Sequence, residues 1–319
     1  MAEQGLTKKP ATAKNHIFAI GGGKGGTGKS LIAASIGICL AARGSEVLLI
    51  DADLGTANLH TFFGLEPPRI GLSDFVTKKK STIAGVVVKT GVNNLKLISG
   101  AKDMIGIANL SYGQKAKVLN NIKRLKYKYI LIDLGPGTSF NILDFFLISH
   151  CGILITSPEP TSIENTYRFV KSLLFRYLRK TINQKLVKSL IDRGVRQTSG
   201  QKFDSIFDLL EAIEQIEPNL GYTIASYLSA LDIKLIINEV RTDRDRAIGE
   251  KMALVARKYF GIRIDFLGSV SHDANIRKGL LQMKPLMAYF PHSKAFKEID
   301  EISQKITPAY QLDLGFSFD

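Results

Sequence analysis

Residues 23–30 read Gly-Lys-Gly-Gly-Thr-Gly-Lys-Ser, and the reading of the chain starts from them. Gly23, Gly28, Lys29 and Ser30 fill the frame G-x-x-x-x-G-K-[ST] of a phosphate-binding loop. Glycines at 23, 25, 26 and 28 let the backbone curl, so that successive N–H groups, that of Thr27 included, face a polyphosphate. Lys29 is then placed for the β- and γ-phosphates, and the Ser30 hydroxyl for Mg²⁺. Lys24 is not required by that frame. It adds a second cation where a single chain has no evident need of one.

The flanks suit the loop. His16 to Gly21 is a short apolar run ending in glycines, and Leu31 to Arg43 follows at helical spacing with Gly44 as a stop signal. A strand, a glycine loop and a helix, in that order, set phosphates on a helix N-terminus.

The rest of the 319-residue chain extends this unit. Buried strands are expected at Glu46–Asp51, Leu95–Ser99, Tyr127–Leu134, Gly152–Thr156, Lys234–Asn238 and Ile264–Val270. Helices are expected at Ser111–Leu125, Phe140–Ser149 and Thr161–Arg179. Continuous apolar strands alternating with helices predict an α/β fold, a doubly wound, mostly parallel sheet of P-loop NTPase type with helices on both faces. The expected organisation is a basic lead-in over 1–14, one domain over 15–307 interrupted by a helical insertion at about 180–232, and a tail over 308–319.

Composition narrows the function classes. Hydrophobic residues make up 45%, ample for a core. Cys39 and Cys151 lie in apolar segments and form no C-x-x-C pair, so neither a disulfide framework nor a metal site is indicated. His60, His150, His272 and His292 have no ligand spacing and are expected in packing or surface roles. The N-terminus lacks the apolar stretch of a signal peptide, and the apolar window 140–156 is too short to span a bilayer and is broken by Asp144 and His150. A cytoplasmic setting is expected, with peripheral attachment to membrane or nucleoid left open. The net charge of +14 favours an anionic partner. Between Arg168 and Lys202 stand ten Lys or Arg and one acid, Asp192, whereas Asp204 to Glu217 holds five acids and no base. Such a stretch is read either as a site for DNA or membrane or as two halves that pair with each other.

Carboxylates mark two further strand ends. Asp51-Ala52-Asp53-Leu54-Gly55 follows the second strand, and Asp133-Leu134-Gly135-Pro136-Gly137 follows Tyr129–Ile132. In open α/β sheets ligands lie at the carboxyl ends of strands, so both segments should face the loop. Asp133 is placed to hold Mg²⁺, directly or through water, Gly135 to let backbone approach a γ-phosphate, and Asp53 to orient the attacking water.

With these segments in place the chain resembles the deviant Walker-A ATPases of the MinD/ParA type. Gly21 to Ser30 matches the family's loop, with Lys24 at its extra lysine. Asp51 to Leu59 resembles switch I, closer to MinD and the flagellar-number regulators than to ParA, and Asp133 to Gly137 stands where switch II stands. Pro158-Glu159-Pro160 resembles the family's Pro-Glu segment, and Ile236 to Arg241 the strand whose Asn, here Asn238, meets adenine, with Arg241 flanking the base. The resemblance implies ATP or ADP with Mg²⁺ as ligands, and catalytic roles for Lys24, Lys29 and Asp53. It implies cofactor contacts from residues 23–30, Gly135, Glu159, Asn238 and Arg241, and metal contacts from Ser30, Asp53 and Asp133. It implies an ATP-dependent homodimer in which Lys24 reaches the partner's phosphates, and a slowly hydrolysing switch that positions cellular machinery with a protein activator or cargo. A ParA-like DNA-binding ATPase and an ATP-dependent synthetase are the alternatives. Leu134 departs from the small polar residue usual in switch II. The tail from Ile306 to Asp319, with Pro308, lacks the basic amphipathic anchor of MinD.

Overall fold

The computed structural model describes residues 15–53, 57–100, 110–182, 188–189, 206–218, 220–282, 284–288 and 293–307. The lead-in, the tail and most of the basic half of the insertion lie outside them. The strands are β1 (His16–Gly21), β2 (Val47–Asp51), β3 (Val88–Lys89), β4 (Leu95–Ile98), β5 (Tyr129–Asp133), β6 (Cys151–Thr156), β7 (Ile233–Val240) and β8 (Ile264–Ser271). They form one sheet in the order β3-β4-β2-β5-β1-β6-β7-β8, parallel throughout except at the β3–β4 edge. β2, β5 and β6 are buried at every position. That is why their sequences run apolar without alternation, since both faces are covered.

The helices, numbered in chain order, are α1 (Lys29–Ala42), α2 (Leu72–Val76), α3 (Tyr112–Ile122), α4 (Phe140–Leu147), α5 (Pro160–Thr181), α6 (Ile206–Glu214), α7 (Leu220–Ser229), α8 (Asp243–Arg246), α9 (Ile248–Phe260), α10 (Ala274–Leu281) and α11 (Lys294–Ile306). On one face of the sheet Ile36 and Leu40 of α1 and Ile299 and Ile302 of α11 pack with Ile20, Leu49, Leu131 and Ile153. α1 is buried continuously from Ile32 to Ala41, as expected of a helix apolar all round. On the other face Phe145 and Phe146 of α4 and Phe169 and Leu173 of α5 cover Leu48, Ile50, Ile130 and Leu154.

The insertion is less separate than its charge pattern predicts. Ile206, Leu209 and Ile213 of α6 and Ile224 and Leu228 of α7 join the α4–α5 core, while Asp208, Glu211 and Glu214 are exposed. Two cations of the basic stretch pair with one buried acid. Arg176 and Lys180 both bind Asp144, together with Lys115. Arg168 pairs with Glu164 one turn away on α5. The described part of that stretch therefore satisfies much of its charge within the chain.

β1 lies at the centre of the sheet, and the chain winds outward from it in both directions. Ile20 pairs with Asp133, and Asp51 with Asp133, so the carboxyl ends of β1, β2 and β5 are level. β6 and β7 end on the other side of β1. The loop after β1 thus sits at the crevice where the strand order reverses, the place in such sheets where ligands bind.

Candidate nucleotide site

The loop between β1 and α1 is shaped by close backbone approaches. A Cβ on Gly23 would stand 2.0 Å from the carbonyl oxygen of Asn165 in α5. Gly28 caps α1 at φ 86°, in the left-handed region, and a Cβ there would stand 2.1 Å from Asn238 Nδ2. That amide donates to Thr27 O at 2.9 Å, tying the loop to the end of β7. Gly23→Ala is therefore expected to destabilise the chain by about 1–3 kcal/mol, seen as a melting temperature several degrees lower together with weaker binding of ATP. Wild-type melting in that variant would show that α5 yields to the methyl group.

Lys29 is buried at the first position of α1 and donates from Nζ to Lys24 O at 3.0 Å. Burial lowers its pKa, opposed by the carboxylates of Asp133 and Asp53. The Ser30 hydroxyl lies beside the Asp133 carboxylate and favours its charged form. Asp133 and Asp51 are paired across β5 and β2 and buried. Burial raises both pKa values. For Asp133 the Ser30 hydroxyl and Lys29 oppose the rise, and for Asp51 the charge of Asp133 adds to it. Asp51 accepts from Leu59 N at 2.9 Å and from Asp53 N at 3.2 Å. This anchors the start of the segment after β2, of which Leu54 to Thr56 lie outside the described residues. The Asp53 carboxylate lies over Gly135, where a Cβ would come within 3.1 Å of it.

Lys24 points elsewhere. Its Nζ bonds Glu159 Oε2 at 2.5 Å and Thr161 Oγ1 at 3.0 Å. Glu159 precedes α5, and the turn that presents it is fixed by Ser162 Oγ, which accepts from Ser157 N and bonds Thr156 Oγ1. The two side chains are 36% and 62% exposed. An ion pair that open to water is worth about 0–1 kcal/mol.

A cleft of about 620 Å³ is lined by this loop, by Asp53 and Leu134, and by the apolar Leu31, Val270, Ile276 and Ala295. Its size is that of a small-molecule site, apolar with a few convergent polar groups. Gly25, Gly26, Gly28, Lys29, Ser30, Asn238 and Arg241 also line it. Lys24, Thr27 and Glu159 line a neighbouring cavity of about 440 Å³, which Arg241 also reaches. Gly23 and Gly135 are packed behind, against α5 and under Asp53.

Two residues on the cleft wall are given no site role by the sequence. Glu239 takes a φ of 62° inside β7, a conformation that costs a residue with a Cβ roughly 1–2 kcal/mol. A register shift between β7 and β8, from Ile237 to Val240, creates this bulge. His272, just beyond β8, hydrogen-bonds the Glu239 carboxylate through Nδ1, and its backbone N–H donates to Val240 O at 2.9 Å. The only signal in the sequence was position: both sit at carboxyl ends of strands.

The donor set fits Mg²⁺, which takes oxygen ligands. Asp133 Oδ1 is buried without a hydrogen-bond partner among the described residues, and Ser30 lies beside that carboxylate. A cation with its water shell would satisfy such an atom. Among the described residues no helix is long and apolar enough to cross a membrane.

Known proteins resemble this chain in sequence and fold. The chain is 22% identical over 294 residues to the antiactivator FleN of Pseudomonas aeruginosa, a match covering 91% of this chain and 86% of FleN. It is 29% identical over 164 residues to the flagellum site-determining protein YlxH of Helicobacter pylori, covering 49% of this chain and 52% of that protein. The solved structure of the septum site-determining protein MinD complexed with Mg-ADP, from Pyrococcus horikoshii, superposes with a TM-score of 0.64 at 21% identity, covering 95% of this chain and all of that one. Residues 18–286 match the CobQ/CobB/MinD/ParA nucleotide binding domain, and with that span the chain belongs to this family.

Proposed function

We propose that the chain binds ATP with Mg²⁺ in this cleft and hydrolyses it slowly, and that two chains close around two nucleotides. Assembly of the dimer is then the output, and hydrolysis ends it. The observation that carries this reading is the convergence of Lys29, Asp53 and Asp133 on one loop end, with Lys24 at the loop's exposed shoulder, 3.0 Å or less from residues of α5's first turn.

Each group has a task. The N–H groups at the start of α1 and Lys29 hold the β- and γ-phosphates. Ser30, Asp53 and Asp133 would hold Mg²⁺, Asp133 directly or through water, and the ion would supply positive charge against the phosphates. Asp53 orients the attacking water, and its place over Gly135 couples it to the segment after β5. Lys24 leaves Glu159 and reaches the partner's phosphates. Asn238 steadies the loop and, with Arg241, lines the way to the base. By likeness to FleN and YlxH, the switch regulates the number or placement of flagella through a protein activator or cargo.

The test is the mass of the full chain in solution, by light scattering, with Mg²⁺ and either a slowly hydrolysed ATP analogue or ADP. A dimer with the first and a monomer with the second is expected. The same mass with both would overturn the reading. Asp53→Ala is expected to slow ATP turnover by about a hundredfold and prolong the dimer. Unchanged turnover would remove Asp53 from its role.

A further inference from the structure

Glu239 is conspicuous for being held where it is. Among the described residues three non-glycine positions have positive φ: Lys78 and Asn94, which are exposed outside the strands, and Glu239 inside a strand. The bulge that forces this conformation sends Asn238 into the loop, where its amide nitrogen is taken by Thr27 O and the residue is 2% exposed. Glu239, the next residue, is turned onto the wall between the two cavities, with its side chain 42% exposed.

Its surroundings are hydrogen-bonded in place. His272 bonds the carboxylate, and its backbone is fixed to Val240. The neighbouring Ser271 is gripped by Glu298, through Ser271 N at 2.6 Å and Ser271 Oγ at 3.0 Å. Asp273 accepts from Ser293 Oγ at 2.6 Å. Glu239 is thus an aimed acceptor on the wall of the cleft, on the side away from Asp53.

We propose that Glu239 selects the nucleobase, its carboxylate accepting a hydrogen bond from the 6-amine of adenine, with His272 as the positioning residue. This rests on the ATP reading above. A base joined to ribose at N9 leaves adenine one ring donor group, the 6-amine, so an acceptor that reaches the base from the cleft wall has one mate on it. A 6-oxo purine puts a carbonyl oxygen there, and two acceptors repel. Buried polar groups left unmatched are how such sites reject near-isosteres. Because this carboxylate is partly open to water, the discrimination is about tenfold, the lower end for a hydrogen bond to a charged group.

The experiment measures binding of ATP and of inosine triphosphate to the full chain with Mg²⁺, by displacement of a ribose-labelled fluorescent ATP. The wild type is expected to prefer ATP about tenfold. Glu239→Gln, whose amide can donate to a 6-carbonyl, is expected to lose that preference. Glu239→Gly is expected to lose it too while melting no lower than wild type, since the left-handed strain is gone. His272→Ala should lower the ratio, and His272→Asn, which can still donate to the carboxylate, should retain it. An unchanged ratio in both Glu239 variants overturns the assignment while leaving ATP binding intact. A wild type that binds neither nucleotide overturns this inference together with the ATP reading.

Discussion

Lys24→Ala is expected to bind ATP in the single chain nearly as wild type does, yet to form no ATP-dependent dimer and to hydrolyse ATP at least about a hundredfold more slowly. The magnitude follows from the role. A cation delivered to transferring phosphates in a site shielded from water is worth 10²–10³ or more in rate, as seen for single oxyanion donors and for arginine fingers. The structure separates this lysine from the other. Lys29 is buried at the helix start beside Asp53 and Asp133, so Lys29→Ala should abolish nucleotide binding itself. Lys24 is at the surface, held by Glu159 and Thr161 of its own chain. At about 0–1 kcal/mol for so exposed a pair, that hold is weak against the several kcal/mol a phosphate contact across a dimer supplies, so it parks the side chain without locking it. Light scattering and a phosphate-release assay on the same preparation read both halves of the prediction. A Lys24→Ala chain that still dimerises with ATP removes the lysine from its assigned place.

How far the sequence could be read depends on the distance over which each feature is set. β1, the glycine loop and α1 are contiguous, and their residue types follow from local needs: strand burial, left-handed turns, a helix N-terminus. They were legible, as were the acids after β2 and β5, because parallel strands put their carboxyl ends together wherever the strands lie in sequence. β3 has two residues, Val88 and Lys89, too few for any period to register. The Glu159 contact joins residues 135 positions apart. The bulge at Glu239 arises from a shift in register against β8, a tertiary fact, so the sequence does not disclose that it and His272 share the cleft wall. The 168–202 stretch is a second case. Its charge was plain, but the pairing of Arg176 and Lys180 depends on one buried acid of α4.

That acid, Asp144, should be the most sensitive charged position for stability. It interrupts an apolar helix and is 1% exposed. Arg176 grips it with two bonds, Nε to Oδ1 at 2.8 Å and Nη2 to Oδ2 at 2.7 Å. Lys180 reaches Oδ1 at 2.7 Å and Lys115 bonds Oδ2, so the one carboxylate joins α3, α4 and α5. Asp144→Asn keeps the volume but strands Lys115 and Arg176, whose side chains are only 9% and 13% exposed. Removing one partner of a buried pair costs about 3–5 kcal/mol, a large part of a typical stability of about 5–15 kcal/mol. At about 2–4 °C per kcal/mol for chains of roughly this size, melting should fall by about 6–20 °C. Burial by itself would raise the Asp144 pKa, but the hydrogen bonds from Arg176, Lys115 and Lys180 outweigh it and hold the carboxyl well below its usual range. A depressed carboxyl stabilises the fold above its unfolded pKa of about 3.9, and that contribution is lost as pH falls through the lower folded value. The gap in melting temperature between wild type and Asp144→Asn should therefore be full at neutral pH and narrow below about pH 4. The stranded cations also imply a rescue: Asp144→Asn combined with Lys115→Met should melt above Asp144→Asn alone, because one uncompensated charge has gone. Equal melting of Asp144→Asn and wild type at pH 7 would mean that water or other acids already neutralise these cations, and that the cluster does not hold the three helices together.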